Sequence, residues 1–173
     1  MVWKKQRTIF PSCTDARCPH LRNIQFMEYN KVHGADVLAL STVAPSVEKL
    51  EIPSWRLSST ERLALLSGLE RWANTLRHVD LNLELTGSGQ YPSIDTIFPH
   101  LVHLSYLSIS SIQLSPTSLR TTTAPLKEIH YSATVIEMEE LQWHLVNPDV
   151  LPSLEICFLH IFPGLEPLSP KLP

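Results

Sequence analysis

The sequence predicts an α/β solenoid in which short parallel strands alternate with helices or irregular return segments. Two observations carry this prediction. A nine-residue phrase with apolar residues at its fourth, seventh and ninth positions recurs six times along the chain, and helix or turn signals fill the stretches between the phrases. Apolar residues two apart on a strand point to the same side, so each phrase is expected to be one strand facing a shared core.

The phrases, among them "FPHLVHLSY" and "LPSLEICFL", define six repeats whose first apolar positions lie 25 to 29 residues apart. This spacing is typical of leucine-rich repeats, which place one strand and one return in each turn. Because each return brings the chain back beside the previous strand, the strands are expected to be parallel and in sequence order. The three inward positions of the successive repeats are Leu21, Ile24 and Phe26; Val47, Leu50 and Ile52; Leu76, Val79 and Leu81; Leu101, Leu104 and Tyr106; Leu126, Ile129 and Tyr131; and Leu154, Cys157 and Leu159.

Two of the returns predict full helices. Residues 58–74 begin with a Ser58-x-x-Glu61 capping box, and residues 136–148 end before a proline. The other returns, residues 30–43, 87–98 and 115–125, are shorter or richer in Pro, Gly, Ser and Thr, and predict one helical turn or irregular structure. The apolar positions expected to face the core are Leu63, Leu66, Leu69 and Trp72 in the first helix and Met138, Leu141 and Leu145 in the second.

The register of the last repeat is open on sequence alone. "LPSLEICFLHIF" also fits inward positions at Leu151, Leu154 and Ile156. In the register adopted above, Ile156 and Phe158 face outward, which implies the other register, a covering tail, or a further repeat that buries them.

The repeat pattern divides the chain into three parts. Residues 1–17 are interpreted as an amino-terminal segment or partial cap, residues 18–162 as the repeat domain of about six irregular repeats, and residues 163–173 as a proline-rich disordered tail.

Composition excludes several classes of partner. A formal charge of −3 with scattered charges of both signs gives no basic surface for nucleic acid. The amino terminus lacks the apolar run of a signal peptide, and no stretch of about 18 apolar residues is present to cross a membrane. We therefore expect an intracellular protein, cytoplasmic or nuclear, without nucleic-acid or membrane partners. Three cysteines are too few and too scattered for a disulfide framework, so reduced thiols are expected.

No residue pattern predicts catalysis, a cofactor or a metal. Cys13, Cys18, His20 and His33 have the residue types of a zinc site, but their spacing is not a zinc signature. Cys157 occupies an inward strand position, where a thiol acts as a small hydrophobic group. We therefore predict no catalytic residue, no cofactor and no metal ligand.

The informative surface is the opposite side of the strands, the concave face of the predicted solenoid, with helices and irregular returns on the convex face. Its residues are polar and mixed in sign, which suits a protein or peptide partner. Arg62 and Glu70 on the 58–74 helix are expected to be exposed on the convex face. The concave-face residues predicted to bind a partner are Asn23, Gln25, Lys49, Glu51, His78, Asp80, His103, Ser105, Glu128 and His130.

The strand-opening phrases "FPHLVHL", "LPSLEIC" and "APSVEKL" resemble the irregular leucine-rich repeats of F-box proteins, particularly the large fungal group, over about residues 18–162. The resemblance implies a substrate-recognition subunit of a cullin-RING ubiquitin ligase, in which the repeats hold the target. No F-box helix pattern is visible in "MVWKKQRTIFPSC". A ligase scaffold is therefore expected only through a separate F-box segment.

The sequence thus predicts a non-catalytic protein-binding module of the F-box-like, ubiquitin-ligase-adaptor type. Two alternatives stay open: an inactive fragment of a larger repeat protein, and an enzyme or metal protein whose site the sequence does not reveal.

Overall fold

A parallel β-sheet with helices on one side organises the chain. The computed structural model describes residues 17–26, 33–85, 93–110, 114–133, 141 and 149–161. The six strands are β1 (Asn23–Gln25), β2 (Lys49–Leu57), β3 (His78–Leu85), β4 (Tyr106–Ser110), β5 (Glu128–Ala133) and β6 (Ile156–Ile161). They pair in sequence order, and every pair is parallel. The prediction of a mixed α/β chain with sequential parallel strands is confirmed. Residues 1–16 of the expected amino-terminal segment (1–17) and all of the expected tail (163–173) lie outside the described residues.

The returns contain helices α1 (Gly34–Val43), α2 (Ser59–Arg71) and α3 (Pro116–Leu119), and two 3₁₀ turns (Ile94–Thr96 and Phe98–His100). The expected single turns at 87–98 and 115–125 are confirmed where described. The predicted second helix, 136–148, is described only at Leu141, which is helical and buried. Within the described ranges, no helix has the length and apolar character needed to cross a membrane.

Helix α2 begins as its sequence predicts. The Ser58 backbone N–H donates to Glu61 Oε2 at 3.0 Å, and the Glu61 N–H donates to Ser58 Oγ at 3.4 Å. This reciprocal pair satisfies two backbone donors that the first turn of a helix leaves unpaired. The capping box therefore fixes where α2 starts.

The expectation for residues 30–43 was wrong, because α1 is a ten-residue helix. Its buried residues include Val37 and Leu40, and its first residue lies against the start of α2. A β-carbon on Gly34 would come 1.9 Å from the Glu61 carbonyl oxygen, so only glycine permits this approach. Packing against α2 stabilises a helix whose local sequence signals are weak.

The inward face of α2 also differs from the prediction. Leu63 is 55% exposed, whereas Arg62, expected on the surface, is 3% exposed. The buried apolar positions of this helix include Leu65 and Leu69, with Trp72 just after its end. The buried face of α2 is therefore shifted by about one residue from the predicted face. The shift arises because α2 packs against α1 as well as against the sheet.

The core contains the expected strand positions. Leu81, Leu104 and Ile129 are all buried, as predicted.

Two large aromatic side chains in the core form hydrogen bonds through their polar atoms. Trp72 Nε1 donates to the Ala44 carbonyl at 2.7 Å, and the Tyr131 hydroxyl donates to the Leu114 carbonyl at 2.5 Å. Burial of these aromatic residues therefore leaves no unpaired indole or phenol donor.

The fourth repeat has a different register from the predicted one. Tyr106 pairs with His78 and Glu128, which face away from the core, while Leu107 pairs with Val79 and Ile129, which are buried. The inward positions of β4 are therefore Leu107 and Ile109, both buried, and Tyr106 was wrongly placed in the core.

Backbone bonds that recur from repeat to repeat explain this register. The Arg77 carbonyl accepts from the N–H groups of Ser105 and Tyr106, as the Glu48 carbonyl does from Arg77 and His78. Ser105 is thus the equivalent of Arg77, one residue before its strand. Placing His103 and Ser105 on the strand was wrong, and His103 lies in the exposed turn before β4.

The adopted register of the last repeat is confirmed. Cys157 pairs with Ile129 and Leu159 with Tyr131, so Ile156 and Phe158 face outward. All six residues of β6 are exposed. Cys157 is therefore on the expected side but not buried, because β6 pairs with β5 alone among the described strands.

Candidate functional site on the outer face of the sheet

The sheet face opposite the core, called the outer face below, is formed by alternate strand residues. These residues are partly or fully exposed, whereas their neighbours on β1 to β5 are buried. Eight of the ten predicted partner-binding residues lie there. The outer-face residues whose side chains are described are Asn23, Gln25, Lys49, Glu51, His78, Asp80, Asn82, Tyr106, Ser108, Glu128, His130, Ser132, Ile156, Phe158 and His160.

Four rings form a continuous ladder across the outer face, one from each of strands β3 to β6. His78 and Tyr106 stack with centroids 3.9 Å apart and planes 3° from parallel. His130 is tilted against Tyr106 at 5.3 Å, and Phe158 is tilted against His130 at 4.6 Å. His78 with Tyr106 and His130 with Phe158 are in-register pairs on neighbouring strands, whereas Tyr106 and His130 are diagonal neighbours, two residues out of register. We call His78, Tyr106, His130 and Phe158 the ring ladder.

Acidic side chains surround the ring of Tyr106. Partial burial, followed by the negative charges of Asp80 and Glu128, raises the pKa of the Tyr106 phenol above its ordinary value. Glu51 adds a weaker contribution in the same direction. The phenol therefore stays neutral at physiological pH and remains a hydrogen-bond donor.

His78 lies between a cation and carboxylates. Burial of the imidazole, followed by the Lys49 charge, lowers the pKa of His78, and this outweighs the opposite effect of Glu51 and Asp80. Glu51 itself contacts Lys49 Nζ at 2.7 Å and lies 3.3 Å from His78 Nε2. His78 Nε2 is shielded from solvent but is not aligned for a hydrogen bond. The imidazole is thus held in its neutral form, which stacks on Tyr106 without a charge.

The carboxylates of the outer face differ in their pairing. Glu128 Oε1 lies 2.7 Å from His130 Nε2, and Glu51 is paired with Lys49. Among the described residues, Asp80 has neither a hydrogen-bond nor an ion-pair partner for its carboxylate, and it is only partly buried. Asp80 is therefore the carboxylate best placed to receive a hydrogen-bond donor from outside the chain.

A second row of polar side chains lies just before the strands. Glu48 Oε1 is 3.3 Å from Arg22 Nε, Glu48 Oε2 is 3.9 Å from Arg77 Nε, and Lys127 Nζ is 3.5 Å from Glu155 Oε1. Their backbones carry the recurring carbonyls that begin each strand pair. Because these pairs are exposed, each contributes little to the free energy of folding, and the row mainly borders the outer face.

The residues considered for a metal site are not brought together where the structure describes them. Cys18 and His20 are exposed in the segment before β1, and His33 Nδ1 contacts Glu61 Oε1 at 2.7 Å. Cys13 lies outside the described residues. The described ranges contain no group of three His, Cys, Asp or Glu side chains placed to hold a metal ion.

Cys157 is a poor candidate for a nucleophile. Although its strand is exposed, atoms that partly cover the thiol raise the pKa of Cys157. A raised pKa keeps the sulfur in the unreactive thiol form, whereas thiolate is the nucleophile.

Sequence reasoning missed Tyr106 and Phe158 as parts of a shared surface. The signal was present in "LSYLSIS", where Leu104, Leu107 and Ile109 supply three aliphatic positions at the repeat's own spacing. That choice places Tyr106 opposite His78 on β3 and diagonal to His130 on β5. The ladder itself depends on ring contacts that no pattern within a single strand reveals.

Comparisons with known proteins supply no relative from which a function could be inferred. No family model, curated protein or solved structure matches the chain.

Proposed function

We propose that this chain is a non-catalytic protein-binding module, a leucine-rich-repeat solenoid whose outer face is the concave surface that holds a protein or peptide. The ring ladder carries the proposal. Solvent-accessible aromatic rings bordered by charged and polar groups are the composition of protein interfaces, whose affinity comes mostly from a few aromatic anchors. The sequential parallel strands support the solenoid, as does the repeat spacing, which is 22 to 29 residues once Leu104 is taken as the first position of the fourth repeat.

The proposed contacts follow from the side chains available. Tyr106 and Phe158 supply apolar area for burial, and the Tyr106 hydroxyl donates to a partner acceptor. Asp80, Lys49 and Asn23 supply polar groups that fix the orientation of the partner. His78 and His130 keep the rings aligned, so that little side-chain freedom is lost when a partner binds.

The biological setting we propose is substrate recognition for an F-box-type ubiquitin ligase. The support is the resemblance of the strand-opening phrases to the repeats of that family. In this setting the outer face holds the target, and the ligase scaffold is recruited through a separate F-box segment. The chain by itself transfers nothing and needs no cofactor.

The test is affinity capture from an extract of the source organism, followed by mass spectrometry. Phe158→Ser removes an outer-face ring that is 57% exposed, and Leu63→Ser removes a side chain that is 55% exposed on α2. Because the two exposures match, the variants lose similar apolar surface on different sides of the molecule. Tyr106→Ser is the second outer-face variant. Thermal melts of all baits establish that they are folded.

We expect the wild-type chain and Leu63→Ser to retain the same partner, and both outer-face variants to lose most of it. Removal of a central aromatic anchor lowers affinity by about 30-fold or more. Identical partner lists for all four baits would rule out the outer face as the binding surface and favour the inactive-fragment alternative.

A further inference from the structure

The outer face carries an excess of negative charge. Among the outer-face residues whose side chains the structure describes, three are carboxylates, Glu51, Asp80 and Glu128, and one is a lysine or arginine, Lys49. Lys49 is committed to Glu51 at 2.7 Å. His78 does not offset this charge at neutral pH, because its pKa is lowered.

Two of these carboxylates lie beside the rings. Asp80 and Glu128 are close enough to Tyr106 to raise the pKa of its phenol, and Glu128 contacts His130. Asp80 has no partner among the described side chains that would compete with a ligand. Aromatic surface and available carboxylate thus occur together at the centre of the face.

This combination matches the chemistry of the guanidinium group. Arginine is planar and always charged, stacks on aromatic faces, and donates paired hydrogen bonds to a carboxylate. A lysine ammonium also binds aromatic faces, but it lacks the planar fork and keeps its water more tightly. Negatively charged ligands are disfavoured, because the nearest groups are carboxylates.

The extent of the ladder defines the length of the ligand. Four neighbouring strands span about 14 Å between the first and last, since strands lie about 4.8 Å apart. An extended peptide covers this distance with about five residues, and its alternate side chains point to the same surface. Two arginines separated by one residue therefore reach successive parts of the ladder.

We propose that the outer face binds an extended peptide segment in which arginines alternate with other residues, with a guanidinium stacked on the ring ladder and paired with Asp80 or Glu128. This inference rests on the protein-binding function proposed above and specifies the chemistry of the partner. The occupant is a basic segment of another protein rather than an acidic one, an apolar one or a second copy of this chain.

The probes are three fluorescein-labelled decapeptides in which threonine alternates with arginine, lysine or glutamate. Binding to the full chain is measured by fluorescence polarisation at about 0.15 M salt, where long-range attraction is largely screened. The protein variants are Asp80→Asn, Glu128→Gln and Glu70→Gln, the last on the exposed surface of α2. Each variant changes the net charge by one, so Glu70→Gln controls for non-specific attraction.

We expect the arginine peptide to bind at least tenfold more tightly than the glutamate peptide, with the lysine peptide between them. Asp80→Asn removes a charge-assisted hydrogen bond and should lower the affinity for the arginine peptide about tenfold or more. Glu128→Gln should lower this affinity less, and Glu70→Gln should leave it unchanged. Equal weakening by all three variants, equal binding of the three peptides, or concentration-dependent self-association that blocks the peptide would overturn the proposal.

The two proposals fail differently. If the arginine peptide does not bind but Phe158→Ser still loses a captured partner, the basic-segment inference is wrong and the protein-binding function stands. If Phe158→Ser and Tyr106→Ser lose no partner and the arginine peptide does not bind, both are wrong.

Discussion

His78 on β3 and Tyr106 on β4 lie face to face, with ring centroids 3.9 Å apart and planes 3° from parallel. The stack exists because the two residues are in register on adjacent parallel strands. It also couples the ladder to pH, since protonating His78 would place a charge within a partly buried group beside Lys49.

We predict that His78→Phe reduces the loss of stability on mild acidification. The pKa of folded His78 lies below 6.5, so the unfolded chain binds a proton first as the pH falls. Stability is therefore lost from about pH 6.5 downward. Glu51 and Asp80 oppose the effect, and the Phe variant lacks it while keeping an aromatic ring. Thermal midpoints at pH 7.5 and 5.5 measure the difference.

His103→Phe is the control for this prediction, because His103 is exposed in the turn before β4. Its pH dependence should equal that of the wild-type chain. If His78→Phe and the wild-type chain lose the same stability between the two pH values, then His78 is not the titrating group.

We predict that Gly34→Ala lowers the free energy of unfolding by about 1–3 kcal/mol. The new methyl group would lie 1.9 Å from the Glu61 carbonyl oxygen, and a backbone atom at the start of α2 has no rotamer with which to move away. Urea denaturation, followed by circular dichroism, measures the change.

Gly68→Ala is the matched control. Its methyl group would meet Val37 Cγ1 at 3.0 Å and the Val37 carbonyl oxygen at 3.3 Å, which are much milder contacts than that at Gly34, and alanine favours a helix interior by about 1 kcal/mol. We expect this variant to lie within about 1 kcal/mol of the wild-type chain. A larger loss for Gly68→Ala than for Gly34→Ala would contradict the close approach of α1 to Glu61.

Asp95 connects the first 3₁₀ turn to the start of α3. Its carboxylate accepts hydrogen bonds from the Ser93 hydroxyl at 2.5 Å, the Ser115 N–H at 2.9 Å and the Ser118 hydroxyl at 2.5 Å. Partial burial alone would raise the pKa of Asp95, but these hydrogen bonds outweigh it and the net pKa is lowered. The charged form is therefore the one that the fold stabilises.

We predict that Asp95→Asn destabilises the chain by about 1–2 kcal/mol at pH 7, because an amide cannot accept all of these donors and solvent moderates the loss. A lowered folded pKa gives stability that is present above the unfolded value of 3.8 and is lost as the pH falls through the folded pKa. The two proteins should therefore converge in acid, which urea midpoints at pH 7 and pH 3 would reveal. An unchanged gap between them would show that the charge of Asp95 is not responsible.

Local patterns were sufficient to predict where the strands occur and where α2 begins. Alternating apolar residues define strands whichever helices cover them, and the Ser58 and Glu61 pair acts within one helical turn. Helix α1 was missed because its stability depends on contact between Gly34 and α2, which lies in the following repeat. Outer-face residues were predicted correctly on β1, β2, β3 and β5. On β4 the predicted register was shifted by three residues, so the wrong side chains were placed outward. On β6 no partner-binding residues were named.

The sequence by itself determined the order of the strands, their parallel direction and the polar character of the outer face, because all three follow from the repeat spacing and the two-residue period of a strand. Only the tertiary structure decided the register of β4, the close packing of α1 on α2 and the ring ladder. Each of these depends on the fit between side chains from different repeats. His78 and Tyr106 are separated along the chain by a whole repeat, and only the pairing of β3 with β4 brings their rings into contact.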